Sequence, residues 1–291
     1  MHPFLNCFIT EMLNSFLFLS EFDNMEVCVD NVESAESAIK GGASRLELCS
    51  ALSEGGLTPT VGLLTAVKSF STIPVFVMIR PRGGNDFVYS QREQTTIFVD
   101  ATSLNENGAD GFVFGALTKN RKVDEHLCQR VLDIAGKKPV TFHRAFDLVA
   151  NPSESVEVII RLGFSRILTS GQQQSAFIGI KLIRNLIEQA DGRIIIMPGA
   201  GINKTNLEHI LRETKAVEFH ASGRYHKIPI LGDDCMLDQE EESKLHLGAA
   251  NISLYKTDVQ TVMDMIRMLQ FSTSMLSTDL ILVNLAFCCV L

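Results

Sequence analysis

Short apolar runs punctuate the middle of the chain, each followed by a polar or glycine-containing stretch and then by a helical pattern. The runs are Met25–Val29, Arg45–Cys49, Val75–Ile79, Gly111–Phe114, Val140–His143, Arg166–Thr169, Ile194–Met197 and Val217–His220. Most are brief and rich in Val, Ile and Phe, as strands buried on both faces are. Helices are expected between them. Val32 to Lys40 follows Asp30, a residue suited to a helix cap, and stops at Gly41-Gly42. Ser153 to Gly163 follows Pro152. Phe177 to Ala190 carries Ile180, Ile183, Leu186 and Ile187 at helical spacing. Further helices are expected from Asn203 to Arg212 and from Asp258 to Leu269. Eight strands alternating with helices predict an α/β fold, a (β/α)8 TIM barrel in one domain. A doubly wound open sheet is the alternative, but no G-x-G-x-x-G follows the first strand.

Side chains alternate along a strand, so the apolar set fixes which residues point inward. Val27 and Val29 face the helices, which turns Glu26, Cys28 and Asp30 toward the barrel interior. The same parity places Arg45, Glu47 and Cys49 inside from the second strand, and Met78 and Arg80 from the third. Thr141 and His143 follow from the fifth, and Glu218, His220 and Ser222 from the eighth. Burying charges costs several kcal/mol each unless they are paired. One reading of this set is therefore structural: Glu47 or Glu26 pairs with Arg80, and His143 with a carboxylate. The other is functional, because barrel active sites lie at the C-terminal strand ends, where Cys49, Arg80, His143 and Ser222 fall.

Composition narrows the classes. The chain has 291 residues, room for two average domains, yet barrels of about 250 residues fold as one. A net charge of -8 argues against nucleic acid as a partner, since phosphate contacts need clustered Lys and Arg. The acidic run Asp238–Glu242 reads as a solvated loop. Seven cysteines, with no C-x-x-C pair, speak against a disulfide framework and for a reducing compartment. The two ends look foreign to the barrel. Residues 1–24 hold the apolar cluster Phe16–Leu19 without a basic leader, and the tail 271–291 ends in an apolar run, Leu280–Leu291, of only 12 residues, too short to span a bilayer. The barrel is expected over 25–270, with no membrane partner.

The stretches MEVCVDNVESA, GGASRLELCSALSEGGLTPT, PVFVMIRPRGG, GADGFVFGALT, PVTFHRAFD, RILTSG, GRIIIMPGAGI and VEFHASGR closely resemble the CutC family of copper homeostasis proteins, from Met25 to Leu269. The resemblance implies a (β/α)8 barrel, a cytoplasmic location extending to the nucleus, a role in copper homeostasis and a homo-oligomer. Three features depart from the family pattern: Ala200 within a glycine triplet, the loop from Gly223 to Leu247, and the tail after Leu269.

Three functions follow. In the first, Cu(I), a soft ion that prefers thiolates, is the cofactor or cargo. Cys28 and Cys49 point inward from adjacent strands about 4.8 Å apart, and the resemblance places suspected copper ligands there too. Against this, free cysteine is commonly a small core residue. In the second, the barrel is an enzyme acting on a small anionic compound. Gly199 and Gly201 before a helix, with Ser222 and Gly223 after the last strand, would offer backbone N–H groups to an anion, and Arg82 or Arg80 a second contact. Glu47, Arg80, His143 and His220 are the catalytic candidates, with His143 and Glu47 best placed for proton transfer. Those glycines equally suit plain tight turns. In the third, the barrel is a non-catalytic oligomeric scaffold, which fold alone does not exclude.

Overall fold

In the computed structural model the described residues are 24–226 and 255–271. The N-terminal extension apart from Asn24, the run Asp238–Glu242, the apolar tail apart from Phe271, and Cys7, Cys235, Cys288 and Cys289 lie outside them.

Eight parallel strands alternate with helices as the sequence pattern predicts. They are β1 (Asn24–Val29), β2 (Arg45–Leu48), β3 (Val75–Met78), β4 (Gly111–Phe114), β5 (Val140–Phe142), β6 (Arg166–Thr169), β7 (Ile195–Pro198) and β8 (Glu218–Ala221). Hydrogen bonding runs β7-β6-β5-β4-β3-β2-β1-β8, so the first strand sits between the second and the last. β8 approaches β7 at the remaining seam, giving a nearly closed TIM barrel. Outward-facing Val27, Val29, Leu46, Leu48, Val75 and Val77 are fully buried beneath the helices. Each such side chain contributes about 1.5–3 kcal/mol through its removal from water.

The helices are α1 (Val32–Lys40), α2 (Val61–Lys68), α3 (Gln91–Glu106), α4 (Glu125–Ala135), α5 (Pro152–Leu162), α6 (Ile180–Ala190) and α7 (Leu207–Thr214). Residues 259–271 are helical as well (α8), and a small antiparallel pair, β9 (Arg224–His226) and β10 (Tyr255–Thr257), precedes α8. Several helix starts differ from expectation. Asn31, not Asp30, caps α1, its side chain accepting from Ser34 N–H at 2.8 Å. α6 begins at Ile180, leaving Phe177 and Ile178 exposed in the preceding loop. α7 begins at Leu207, because Asn203 and Asn206 close a turn by donating to the Gly201 carbonyl. No helix among the described residues is long and apolar enough to cross a membrane.

Inside the barrel, glycines make room for large neighbours. A Cβ at Gly111 would lie 2.6 Å from the Phe76 ring, and one at Gly199 would lie 2.5 Å from Leu168 Cδ1. The Phe76 ring in turn underlies two guanidinium groups, Arg45 at 5.0 Å and Arg166 at 5.3 Å. Arg45 Nε bonds Glu26 at 2.5 Å and its Nη2 bonds Glu218 at 2.7 Å, while Arg166 Nε reaches Glu218 at 3.0 Å. These four side chains are buried and their charges balance. The pairing of Glu26 or Glu47 with Arg80 suggested by strand parity is thus replaced by a pairing of Glu26 with Arg45, and Glu47 has no arginine in ion-pair contact among the described residues. Register explains it: Glu26 has Arg45 and His220 as its strand neighbours.

Candidate functional site

A cavity of about 270 Å³ opens at the C-terminal mouth of the barrel. Cys28, Glu47, Arg80, His143, His220, Gly201 and Ser222, all singled out in the sequence, line it together with Leu52, Met78, Phe87 and Leu168.

One wall comes from β1, β2 and β8. The register sets Glu47 beside Cys28, and Glu26 beside His220. The ligand atoms of Cys28, Glu47 and His220 all lie within 4.8 Å of one another, and all three residues are buried. His220 Nδ1 contacts Glu26 Oε1 at 2.8 Å, and the imidazole also hydrogen-bonds Cys28. Burial works against a charge on His220, but Cys28, Glu47 and Glu26 outweigh it and hold its pKa well above the usual value. Burial also works to raise Glu26, yet Arg45 and His220 prevail and bring it down to about 2. Glu47 is the opposite case: burial pushes it up to about 7, with His220 opposing and Glu26 assisting. Its Oε1 accepts from the Cys49 thiol at 3.4 Å, and its Oε2 has no partner among the described residues.

The facing wall comes from β3, β5 and their loops. Arg80 is 5% exposed and donates to the carbonyls of Glu54, Gly56 and Gly84 at 2.8, 3.0 and 2.7 Å. His143 caps the 3-10 turn Arg144–Leu148, its Nδ1 accepting from Ala145 N–H at 3.2 Å. That bond places the ring proton on Nε2, which has no partner among the described residues. Burial, with Arg80 adding to it, lowers the His143 pKa to about 3. The expected carboxylate partner for His143 is therefore absent among the described residues. Asp147, from the same FHRAFD stretch, accepts instead from Ser170 N–H at 3.0 Å and from Thr169 Oγ1 at 2.5 Å, tying β5 to β6.

Other expected residues sit elsewhere. Cys49 packs with Phe76, Met78 and Val113 in a separate apolar group. Burial, Glu47 and Cys28 raise its pKa well above that of a free thiol. Arg82 is engaged by Glu93, by Asp86 at 2.8 Å and by the Val88 carbonyl at 3.0 Å. Gly199 packs against Leu168 and His220, and a Cβ at Gly223 would lie 2.7 Å from Val262 of α8. Sequence reasoning missed Phe87, a loop residue with no periodic signal. It marked Glu26 as inward without linking it to His220, since that link needs the register of β1 against β8.

A family model described as the CutC family matches residues 24–225. The human copper homeostasis protein cutC homolog is 56% identical over 200 residues, covering 69% of this chain and 73% of the relative. A CutC family protein of Pasteurella multocida is 42% identical over 245 residues, covering 81% and 98%. A solved structure of CutC from Streptococcus agalactiae is 34% identical with a TM-score of 0.65, covering 68% of this chain and 98% of that one.

Proposed function

The chain belongs to the CutC family, and from that premise we propose that it serves copper homeostasis by holding Cu(I) on the Cys28 thiolate and the His220 imidazole. The observation that carries this reading is the buried group of Cys28, His220 and Glu47, with ligand atoms within 4.8 Å of one another. Thiolate and imidazole suit a soft monovalent ion, whereas the Glu47 carboxylate suits harder ones. Glu26 on His220 Nδ1 supports the reading, because carboxylates behind metal-binding histidines fix the ring and leave Nε2 to the metal. Cys49, one strand over, is a further buried thiol. Binding displaces protons from the ligands, so affinity falls as pH drops. Anaerobic titration against a Cu(I) indicator tests the proposal. One Cu(I) per chain is expected, lost in Cys28→Ser and weakened in His220→Gln. A Cys28→Ser, Cys49→Ser variant that binds as tightly as the parent would refute it.

One observation favours a second reading, catalysis on a small anionic compound. Glu47 Oε2 and His143 Nε2 are buried polar atoms without partners among the described residues, and each such atom costs about 1–3 kcal/mol. Groups left unmatched in a cavity wall suit a ligand. On this reading Glu47 transfers a proton, the neutral His143 donates a hydrogen bond and Arg80 supplies the positive charge. Solvent deuterium entering a bound small carboxylate, followed by proton NMR, is the expected signature. A compound that binds without exchange and without conversion would argue for metal handling alone.

A further inference from the structure

The wall facing the cysteine carries its own recognition chemistry. Arg80 is buried and, among the described residues, has no carboxylate within ion-pair distance; carbonyls take three of its donor contacts. A guanidinium has five N–H groups, so others remain for a ligand. His143, 3% exposed, presents Nε2–H with no acceptor among the described residues, and the Ala145 amide on Nδ1 keeps the proton there. Its place is fixed by Gly115, where a Cβ would stand 2.7 Å from Nδ1. Phe87 braces both groups: its ring centroid is 5.2 Å from the Arg80 guanidinium and 4.8 Å from the His143 ring. Phe87 has a φ of 52°, a left-handed conformation that bulky residues rarely adopt. Its carbonyl accepts from Leu117 N–H at 2.9 Å, which holds the loop in that shape. Strain of this kind persists where surrounding structure imposes it and clusters at ligand sites.

We propose that this cavity binds a small monocarboxylate bearing an adjacent carbonyl or hydroxyl oxygen, with the carboxylate on Arg80 and the adjacent oxygen on His143 Nε2–H. The charge count selects the class. On this wall one fixed cation and one neutral donor match a single negative charge, and the His220 imidazolium across the cavity is already engaged by Glu26; a phosphate dianion would bring one charge too many. Burial keeps His143 uncharged at neutral pH, so it adds direction and no second cation. A cavity of about 270 Å³, with Met78 and Leu168 as its apolar side, suits a compound of few heavy atoms. The inference deepens the catalytic reading by naming a ligand class, and it does not depend on the copper ligands.

Calorimetric titration of the full, copper-free chain tests it, with pyruvate, acetate and inorganic phosphate as probes. Pyruvate is expected to bind saturably and about tenfold tighter than acetate, the worth of one added hydrogen bond. His143→Phe, which keeps the aromatic packing, is expected to bring pyruvate down to the acetate level and leave acetate unchanged. Arg80→Gln is expected to abolish both; thermal unfolding checks its fold, and the His143→Phe comparison stands without it. Cys28→Ser is expected to retain pyruvate, which separates this site from the metal proposal. Pyruvate binding without turnover would sustain the inference and sink the catalytic reading. The inference is overturned by no saturable pyruvate binding, by phosphate binding tighter than pyruvate, or by unchanged pyruvate affinity in His143→Phe.

Discussion

Replacing Arg45 with Met tests the ionic floor of the barrel. Arg45 bonds Glu26 at 2.5 Å and Glu218 at 2.7 Å, with all three side chains almost out of contact with water. The substitution leaves Glu26 with His220 and Glu218 with Arg166, so each carboxylate keeps one partner and loses one. Breaking a buried pair from one side costs about 3–5 kcal/mol, mainly through the charge left behind. Methionine fills the aliphatic part of the space beside Phe76 and Met197, so packing loss adds little. Against a total stability of about 5–15 kcal/mol, this is a large fraction. Urea unfolding monitored by circular dichroism reads it as a lower midpoint with an unchanged slope. Adding Glu26→Gln removes one of the two charges that Arg45→Met leaves with a single partner. The double variant should therefore be more stable than the two single losses summed, by about 1 kcal/mol or more. A single loss below about 1 kcal/mol, or strict additivity, would refute the account of the floor as coupled ion pairs.

Two further outcomes follow from other parts of the barrel. The His143 pKa is lowered in the folded state from 6.5 to about 3, so its contribution to stability is complete above about 6.5 and is lost as pH falls toward 3. Denaturation curves over that window should show a steeper loss for the parent than for His143→Phe; equal slopes would contradict it. A Cβ at Gly179 would stand 1.9 Å from the Ser170 carbonyl oxygen, whose residue is held by Asp147. Gly179→Ala should cost about 3 kcal/mol or more, because backbone meets backbone. Gly163→Ala, at φ +93° with open space around it, should cost about 1 kcal/mol. Thermal unfolding of the two side by side decides between crowding and conformation.

Strand identity and strand parity were legible because a two-residue period survives in short runs. Val27 and Val29 outside Glu26 and Cys28 is enough to turn a carboxylate and a thiol inward. Depth along the barrel was not legible. Parity assigns a side but no height: it suggests Arg80 as the partner of Glu26, whereas register decides for Arg45. The contact between Glu26 and His220 spans 194 positions in sequence, and no local pattern encodes it. Helix starts failed where polar and apolar signals mislead. Phe177 continues the apolar spacing of α6 while standing 47% exposed. Asn203 resembles a cap but turns its amide to the Gly201 carbonyl. The glycines at 199 and 223 drew attention as anion contacts, whereas sequence gives no sign of the side chains crowding them.

The closure of β1 against β8 sets a timetable for synthesis. Cys28 is on the opening strand, and the imidazole that contacts it is on the closing one. At about 5–20 residues per second, a ribosome needs on the order of 10–40 s to pass from Glu26 to His220. Throughout that interval the thiol has no imidazole beside it, and Glu26 lacks the neighbour that completes its pairing. Polypeptides released before β8 carry the cysteine without the site. If Cys28 and His220 hold copper as proposed, only chains whose barrel has closed can do so.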